Sequence, residues 1–589
     1  MFEPARVVII GGGVAGMSAA HELAERGYAV EVFERHPIYV GGKARSVDVP
    51  GTNTQRPDRY LPGEHGFRFF PGFYKHITDT MKRIPFTGPD GKVQPNGCYD
   101  NLVTTERIMV ARYDRPSIVT DAYFPRSLAD LKLIVHDLHA GAEEGLTTEE
   151  EEFFAERIWQ LMTSCQDRRA IDYERLSWWD YLEADRFSKT YQTLLVAGLT
   201  RSLVAAQANS ASTKTGGDIL LQLLFNMMSP GVNTDRVLNG PTNEVWLNPW
   251  LHHLEGLGVI YNLGARVTGM DVQGGRVASI EVVEGDGTRR AVEADVFILA
   301  VPVERAAELI TSEMIEVDGT LEGIKTLARS VSWMNGIQFY LNEDVEMSRG
   351  HVIFSDSEWA LTGISQIQFW ANYDLTDRFN GRVKGVLSVD ISDWQHTRYQ
   401  GILAEEASPE RVKDLVWDQI KRSLNVGGVT VFRDDMVEHW YLDRDIRWQP
   451  EEHRERDAEP LLVNTVNSWA LRPEAVTRIP NLFLAGDYVR TSTDLATMEG
   501  ANEAARRAVN GILDLDRSSR PQCEIWPLSE PLFFAPFKWL DQHRYNAGEP
   551  WSGNIPIAMK VALVPWGLAF GIVTVLRGVV ATLTQGRSS

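Results

Sequence analysis

The feature that most restricts this chain is Gly11-x-Gly13-x-x-Gly16, which directly follows the apolar run Val7-Val8-Ile9-Ile10. A helical pattern runs from Val14 to Arg26, and a second strand-like run from Ala29 to Phe33. Strand, glycine turn, helix, strand is half of a parallel, doubly wound sheet. The first glycine permits the tight turn, the second lets a pyrophosphate approach the backbone, and the third lets the helix pack on the strand. Val14 and Ala15 open the helix, so free N–H groups and the helix dipole face an incoming anion. Glu34 closes the second strand, with Arg35 beside it. A carboxylate there accepts hydrogen bonds from adenosine ribose hydroxyls and repels a 2′-phosphate. The pattern predicts dinucleotide binding.

Two further pieces favour FAD over a nicotinamide cofactor. Gly41-Gly42-Lys43-Ala44-Arg45 follows the second strand closely, so a second glycine pair and basic side chains are expected at the diphosphate and flavin end. Far downstream, Ala485-Gly486-Asp487 ends another strand-like run, and a helix opens near Met498-Glu499-Gly500. N–H groups at that opening would face the flavin C2 carbonyl and stabilise a reduced, anionic ring. Val267, Thr497, Met498 and Ala501 are assigned to the same cofactor site.

At 589 residues the chain is too long for one ordinary core. Residues from about Ser127 to Leu224 read as mostly helical, and Thr147 reads as the cap of the helix opened by Thr148-Glu149-Glu150. From Val259 to Val301 the pattern turns to strands broken at Gly274-Gly275 and Gly285-Asp286-Gly287. The expected architecture is α/β. A Rossmann-like FAD-binding domain comes from residues 1–100, 236–310 and 466–515. An inserted α+β substrate domain comes from 101–235, expected as a helical cap, and 311–465; the apolar C-terminal tail is 516–589.

Acidic residues number 80 against 59 basic ones, a net charge of -21, which argues against nucleic acid as a partner. Cys98, Cys165 and Cys523 lie far apart, so neither a disulfide framework nor a thiolate zinc cluster is expected, and a reducing compartment fits. No His, Asp or Glu set has metal spacing, no Gly-x-Ser-x-Gly elbow occurs, and His252-His253 reads as a helix-surface pair. The opening apolar run is too short for a signal sequence. Val561 to Leu576 carries no charge, is interrupted by Pro565 and is flanked by Lys560 and Arg577. It is short for a bilayer span and suits a segment lying in the interface, as does Leu532–Leu540 upstream; the alternative is that both pack on the body. A cytoplasmic protein held peripherally on a membrane is the expectation.

With these residues in view, the chain resembles the FAD-dependent amine oxidase and phytoene desaturase superfamily. The matching pieces are the glycine fingerprint with Glu34, Gly41-Gly42-Lys43, Ala294 to Pro302, and Asn481 to Gly511. Within it, the chain is most similar to plant- and cyanobacterial-type carotenoid desaturases and to hydroxysqualene dehydroxylases. Glu64-His65-Gly66-Phe67-Arg68-Phe69-Phe70-Pro71-Gly72-Phe73-Tyr74 and Ala485-Gly486-Asp487-Tyr488 with Ala496 to Ala501 carry that likeness. The chain departs from the pattern where a helical stretch opening at Val237-Leu238-Asn239-Gly240 replaces the usual Gly-Gly, and where Arg68 stands in place of a histidine.

The resemblance implies non-covalent FAD and an apolar, isoprenoid or lipid-like substrate that loses hydride to flavin N5, with a quinone or oxygen as external electron acceptor. Glu64, His65 and Arg68 are the candidates for groups at the flavin–substrate face. Trp333, Phe339, Tyr340, Phe354, Trp359, Phe369 and Trp370 cluster in sequence and would either line a substrate tunnel or form ordinary core. Three other readings stay open: net non-redox isomerisation or dehydroxylation on the same fold, an amine oxidase, and a non-enzymatic prenyl or lipid carrier.

Overall fold

The structure is a computed structural model. It describes residues 5–553 apart from 55, 57–58, 106, 122–144, 198–206, 227–234, 371–372 and 376–377. Residues 554–589, including the uncharged run Val561 to Leu576 expected to meet a membrane, lie outside the described residues, as does part of the helical stretch after Ser127.

Val7, Val8, Ile9 and Ile10 are buried on both faces, as an uninterrupted apolar run in a covered parallel sheet must be. Their strand, Arg6–Ile10, is the centre of a five-stranded parallel sheet. The order across it is Ile260–Leu263, Ala29–Glu34, Arg6–Ile10, Val296–Leu299, Leu482–Leu484. Val8 sits between Glu31 and Phe297, so strands from distant parts of the chain flank the first one. The helix Val14–Glu25 follows the glycine turn and packs against the late helix Met498–Leu515. Asn502 Nδ2 ties the two by donating to Ser18 Oγ at 2.8 Å. The predicted strands after Val259 appear as an antiparallel sheet of Arg266–Gln273, Arg276–Val283 and Arg289–Val292, turning at Gly274-Gly275.

A second sheet has seven strands. Asn335–Leu341, Gly385–Ile391 and Leu361–Ser365 form its middle, and Arg107–Arg112 and Arg115–Asp121 form one edge. The stretch 101–235 is therefore not purely a helical cap: Leu102–Thr104 and these two strands precede its helices. The clustered aromatics resolve into core. Phe339, Phe354 and Trp359 pack beneath the helix Pro409–Leu424 with Trp333 against them, and Tyr340, Phe369 and Trp370 form a separate apolar cluster. Only Phe339, Tyr340 and Phe354 lie on strands; the others reach the same two clusters from turns and connections.

In the helical layer, Thr147 caps Thr148–Thr163 as predicted, in a reciprocal box with Glu150. Residues 236–238 depart from expectation. Arg236–Leu238 is a strand pairing with Phe69–Phe70 and Leu102–Thr104, and helical backbone begins only at Asn243. Of the upstream apolar patch, Phe534 and Phe537 are buried, while Leu532 is 79% and Trp539 61% exposed. No helix among the described residues is long and apolar enough to cross a membrane.

One buried carboxyl makes stability pH-dependent. Glu455, on Arg454–Asp457, is 1% exposed, and neither carboxyl oxygen has a hydrogen-bond partner. Burial, helped by Glu410, pushes it up to about 8. A raised carboxyl favours the folded state while protonated, so this contribution is present below about pH 4.5 and is lost as pH climbs through 8. Glu455→Gln is expected to stabilise the protein at pH 8.5, by up to roughly 4 kcal/mol, and to change little at pH 5, as measured by urea unfolding.

Candidate active site

A cavity of about 620 Å³ runs from the end of the parallel sheet to the face of the seven-stranded sheet. At the first end, Gly11, Gly13, Val14 and Ala15 line it, joined by Glu34 and Arg35. Gly41 to Arg45 line the next stretch, and Val267 faces the same space. Gly486, Asp487, Thr497, Met498 and Ala501 close a third side, so three separate chain segments meet on one cavity. Gly16 does not line it. A Cβ there would stand 1.9 Å from the Gly11 carbonyl oxygen, so this glycine serves the packing of helix on turn.

The two glycine loops touch backbone to backbone. Gly41 N–H donates to the Gly12 carbonyl at 3.0 Å, and a Cβ on Gly13 would lie 3.7 Å from Gly42 Cα. Glu34 is buried beside them and accepts from Gly12 N–H and His36 N–H, each at 2.7 Å. Burial raises its pKa, and those two backbone donors only partly counter the rise. The late helix opens with its N-terminus on the cavity, and Thr497 caps it by accepting from Gly500 N–H at 3.1 Å. Glu499 turns away, accepting from Lys75 and His76 N–H at the start of another helix.

The basic residues expected on a diphosphate are held by a downstream strap. Arg45 pairs with Asp445 at 2.7 Å and with Glu459 at 3.0 Å; Arg35 also pairs with Glu459, and Lys43 with the Pro460 carbonyl and with Glu304. Burial would raise Glu459, but Arg45 and Arg35 outweigh it and hold it down at about 2. Binding of a diphosphate falls instead to backbone N–H groups at the glycine turn and helix start. These surroundings fit FAD: a cradle kept open where side chains would fill it, a carboxylate at the ribose end, and a second helix N-terminus at the ring end.

The opposite end of the cavity is apolar. Leu220, Leu223 and Leu224 come from the helix Thr213–Asn226, Ile108 and Ile353 from the seven-stranded sheet, Phe67 from the loop after Glu64 and Phe69 from the short strand that follows it. Among these walls sit His65, Arg68, Asp390 and His351. Of the three sequence candidates, His65 and Arg68 line the cavity. Glu64 does not: its oxygens accept from Thr242 N–H and Oγ1, both at 2.9 Å, which makes it a structural acid behind the wall. Burial lifts Glu64 to about 7, against the pull of Arg68 and Thr242. Asp390 is likewise lifted by burial to about 7. Burial would lower His65, but contact of its Nδ1 with Asp443 outweighs that and raises it.

Sequence reasoning missed Asp390, Asp443, Asp445 and His351. The pair Asp443-x-Asp445 was the readable hint, and the structure places both carboxylates on the turn between Val437–Leu442 and Ile446–Gln449. His65, Asp443 and Asp445 present ligand atoms within 4.8 Å of one another, a grouping that sequence spacing does not show, but Arg45 already engages Asp445. The same holds for His21, Glu25 and His253. Trp250 Nε1 donates to His21 Nδ1, so the His21 Nε2–H is left to donate to Glu25. His253 thus turns partly inward against His21, with ring centroids 5.0 Å apart, while His252 stays exposed.

The sequence profile of the family described as flavin containing amine oxidoreductase matches residues 14–513. The chain belongs to that family. As a family member it is an FAD-dependent oxidoreductase. Its fold is shared by cyclohexylamine oxidase from Brevibacterium oxydans IH-35A, at 12% identity and a TM-score of 0.56, over 87% of this chain and 100% of that one. A putrescine oxidase solved with putrescine bound gives 13% identity and a TM-score of 0.56, over 87% and 99%. In sequence, a zeta-carotene desaturase of Zea mays is 38% identical over 79 residues, and a carotenoid phi-ring synthase of Chlorobaculum tepidum 40% identical over 72. Those stretches cover 13% and 12% of this family member, and only 12% and 10% of the relatives' lengths.

Proposed function

We propose that this flavoenzyme desaturates an apolar, isoprenoid-like lipid. The observation that carries the reading is the substrate end of the cavity, where Leu220, Leu223, Leu224, Ile108, Ile353, Phe67 and Phe69 line an apolar chamber and burial favours the neutral form of the nearby Asp390. Burying an isoprenoid chain there is favourable by about 25 cal/mol per Å² of apolar surface. The partial likeness to carotenoid desaturases supports the same substrate class. Bound non-covalently, FAD would supply the acceptor for a hydride from one carbon, with the neighbouring carbon's proton passing to solvent and the two electrons then to a quinone or oxygen. The chain's own part is to hold the reacting carbons in line and keep water out. The uncharged run Val561 to Leu576, together with exposed Leu532 and Trp539, supports collection of the substrate at a membrane surface.

One experiment covers both parts. Anionic phospholipid vesicles carrying phytoene are mixed anaerobically with the protein. The full chain should sediment with them and its flavin should bleach, while a chain ending at Gly553 should stay in the supernatant. Bleaching by putrescine or cyclohexylamine but not by the loaded vesicles would overturn the lipid reading.

A further inference from the structure

We infer that Arg68 binds a carboxylate at one end of an otherwise apolar substrate. The inference rests on the chamber being one for an apolar chain and adds a polar end to that chain. Arg68 lines the cavity, yet among the described residues no hydrogen bond or ion pair reaches its guanidinium, and its Nε and Nη2 are buried without a partner. A buried cation left in that state is costly, so such groups normally find an acceptor.

Glu64, Asp390 and Asp443 lie close enough to attract Arg68, but among the described residues none of them bonds to it. Glu64 is committed to Thr242, and Asp443 to His65. Asp390 faces the same space but makes no ion pair with Arg68 among the described residues, and burial favours its neutral form. The guanidinium is a rigid fork of N–H donors that matches a carboxylate with two parallel hydrogen bonds.

The position of Arg68 points to the substrate rather than to the diphosphate. Its cavity neighbours Asp390 and Thr362 come from the seven-stranded sheet, and a Cβ on adjacent Gly66 would lie 2.5 Å from Asp390 Oδ1. Phe67 and Phe69, on either side of it in sequence, face the same cavity. A second polar atom there is also without a partner: His351 Nε2, whose ring lies 5.0 Å from that of Phe67 and 4.3 Å from that of Phe69. Burial holds His351 down at about 4, so it stays uncharged and adds no competing cation. A pure hydrocarbon would leave both groups unanswered.

The test uses the FAD-loaded full chain and three C20 or longer probes: geranylgeranoic acid, geranylgeraniol and squalene. Binding is read as perturbation of the flavin spectrum. The acid should bind about 10- to 100-fold more tightly than the alcohol, the gain expected of a hydrogen-bonded charge pair. Arg68→Met should erase that preference with FAD content unchanged, and Arg68→Lys should keep part of it. Equal binding of acid and alcohol by the unaltered protein overturns the inference and leaves the apolar-chain reading standing. Loss of FAD from Arg68→Met also overturns it, since the guanidinium would then serve the cofactor. No perturbation by any of the three probes overturns the apolar-chain reading and this one with it.

Discussion

Gly13→Val is expected to yield a folded protein that holds no FAD. Gly13 has φ -75° and ψ -175°, a conformation open to any residue, and no protein atom lies closer than 3.7 Å to its would-be Cβ. The protein itself therefore tolerates the side chain. The two γ-carbons enter the cavity that Gly13 lines, where the dinucleotide backbone must pass. We expect flavin affinity to fall by roughly 100-fold or more, equivalent to about 3 kcal/mol. The variant's urea midpoint should match that of the unaltered protein stripped of FAD. Purification of Gly13→Val with a full complement of flavin would refute the cradle.

Gly16→Ala is expected to do the opposite: damage the fold before any question of cofactor arises. The added Cβ meets the Gly11 carbonyl oxygen at 1.9 Å and its carbon at 3.1 Å, both backbone atoms of the turn. Neither can swing aside as a side chain would. Helix and strand must separate, costing about 3 kcal/mol or more in the FAD-free protein. An unfolding midpoint within error of the parent would show that the turn has slack the packing denies it. Three residues apart in one motif, these two glycines thus serve different ends, one the ligand and one the fold.

The cofactor end of the molecule was largely readable from sequence because its signals are local. Gly11, Gly13, Gly16 and Glu34 sit within a single strand–turn–helix–strand unit, and their chemistry depends on near neighbours. Asp487 and Met498 were reachable because each sits at the end of a recognisable strand or helix. The substrate end was not readable in the same way. Arg68, Asp390 and His351 meet only because segments remote in sequence converge on one cavity, and nothing in the stretch around Asp390 or His351 announces that. The aromatic cluster misled for a related reason: Trp359 and Phe369 are large and apolar, which suits a tunnel and a core equally, and only the closed packing of the sheet decides for core. Lys43 and Arg45 looked free to meet phosphate because their partners, Glu304, Asp445, Glu459 and Pro460, lie hundreds of residues downstream.

The parallel sheet has a consequence for how the protein is made. Its first strand, Arg6–Ile10, emerges from the ribosome early, yet the neighbour at Val296–Leu299 and the edge at Leu482–Leu484 arrive much later. Contacts so remote in sequence form slowly, and the exposed apolar edge of the opening strands must be shielded meanwhile. The nucleotide cannot be captured by a nascent N-terminal half, because the helix beginning at Met498 completes its berth. Flavin loading therefore waits until the helix Met498–Leu515 has been made, and cells short of riboflavin should accumulate a colourless apoprotein.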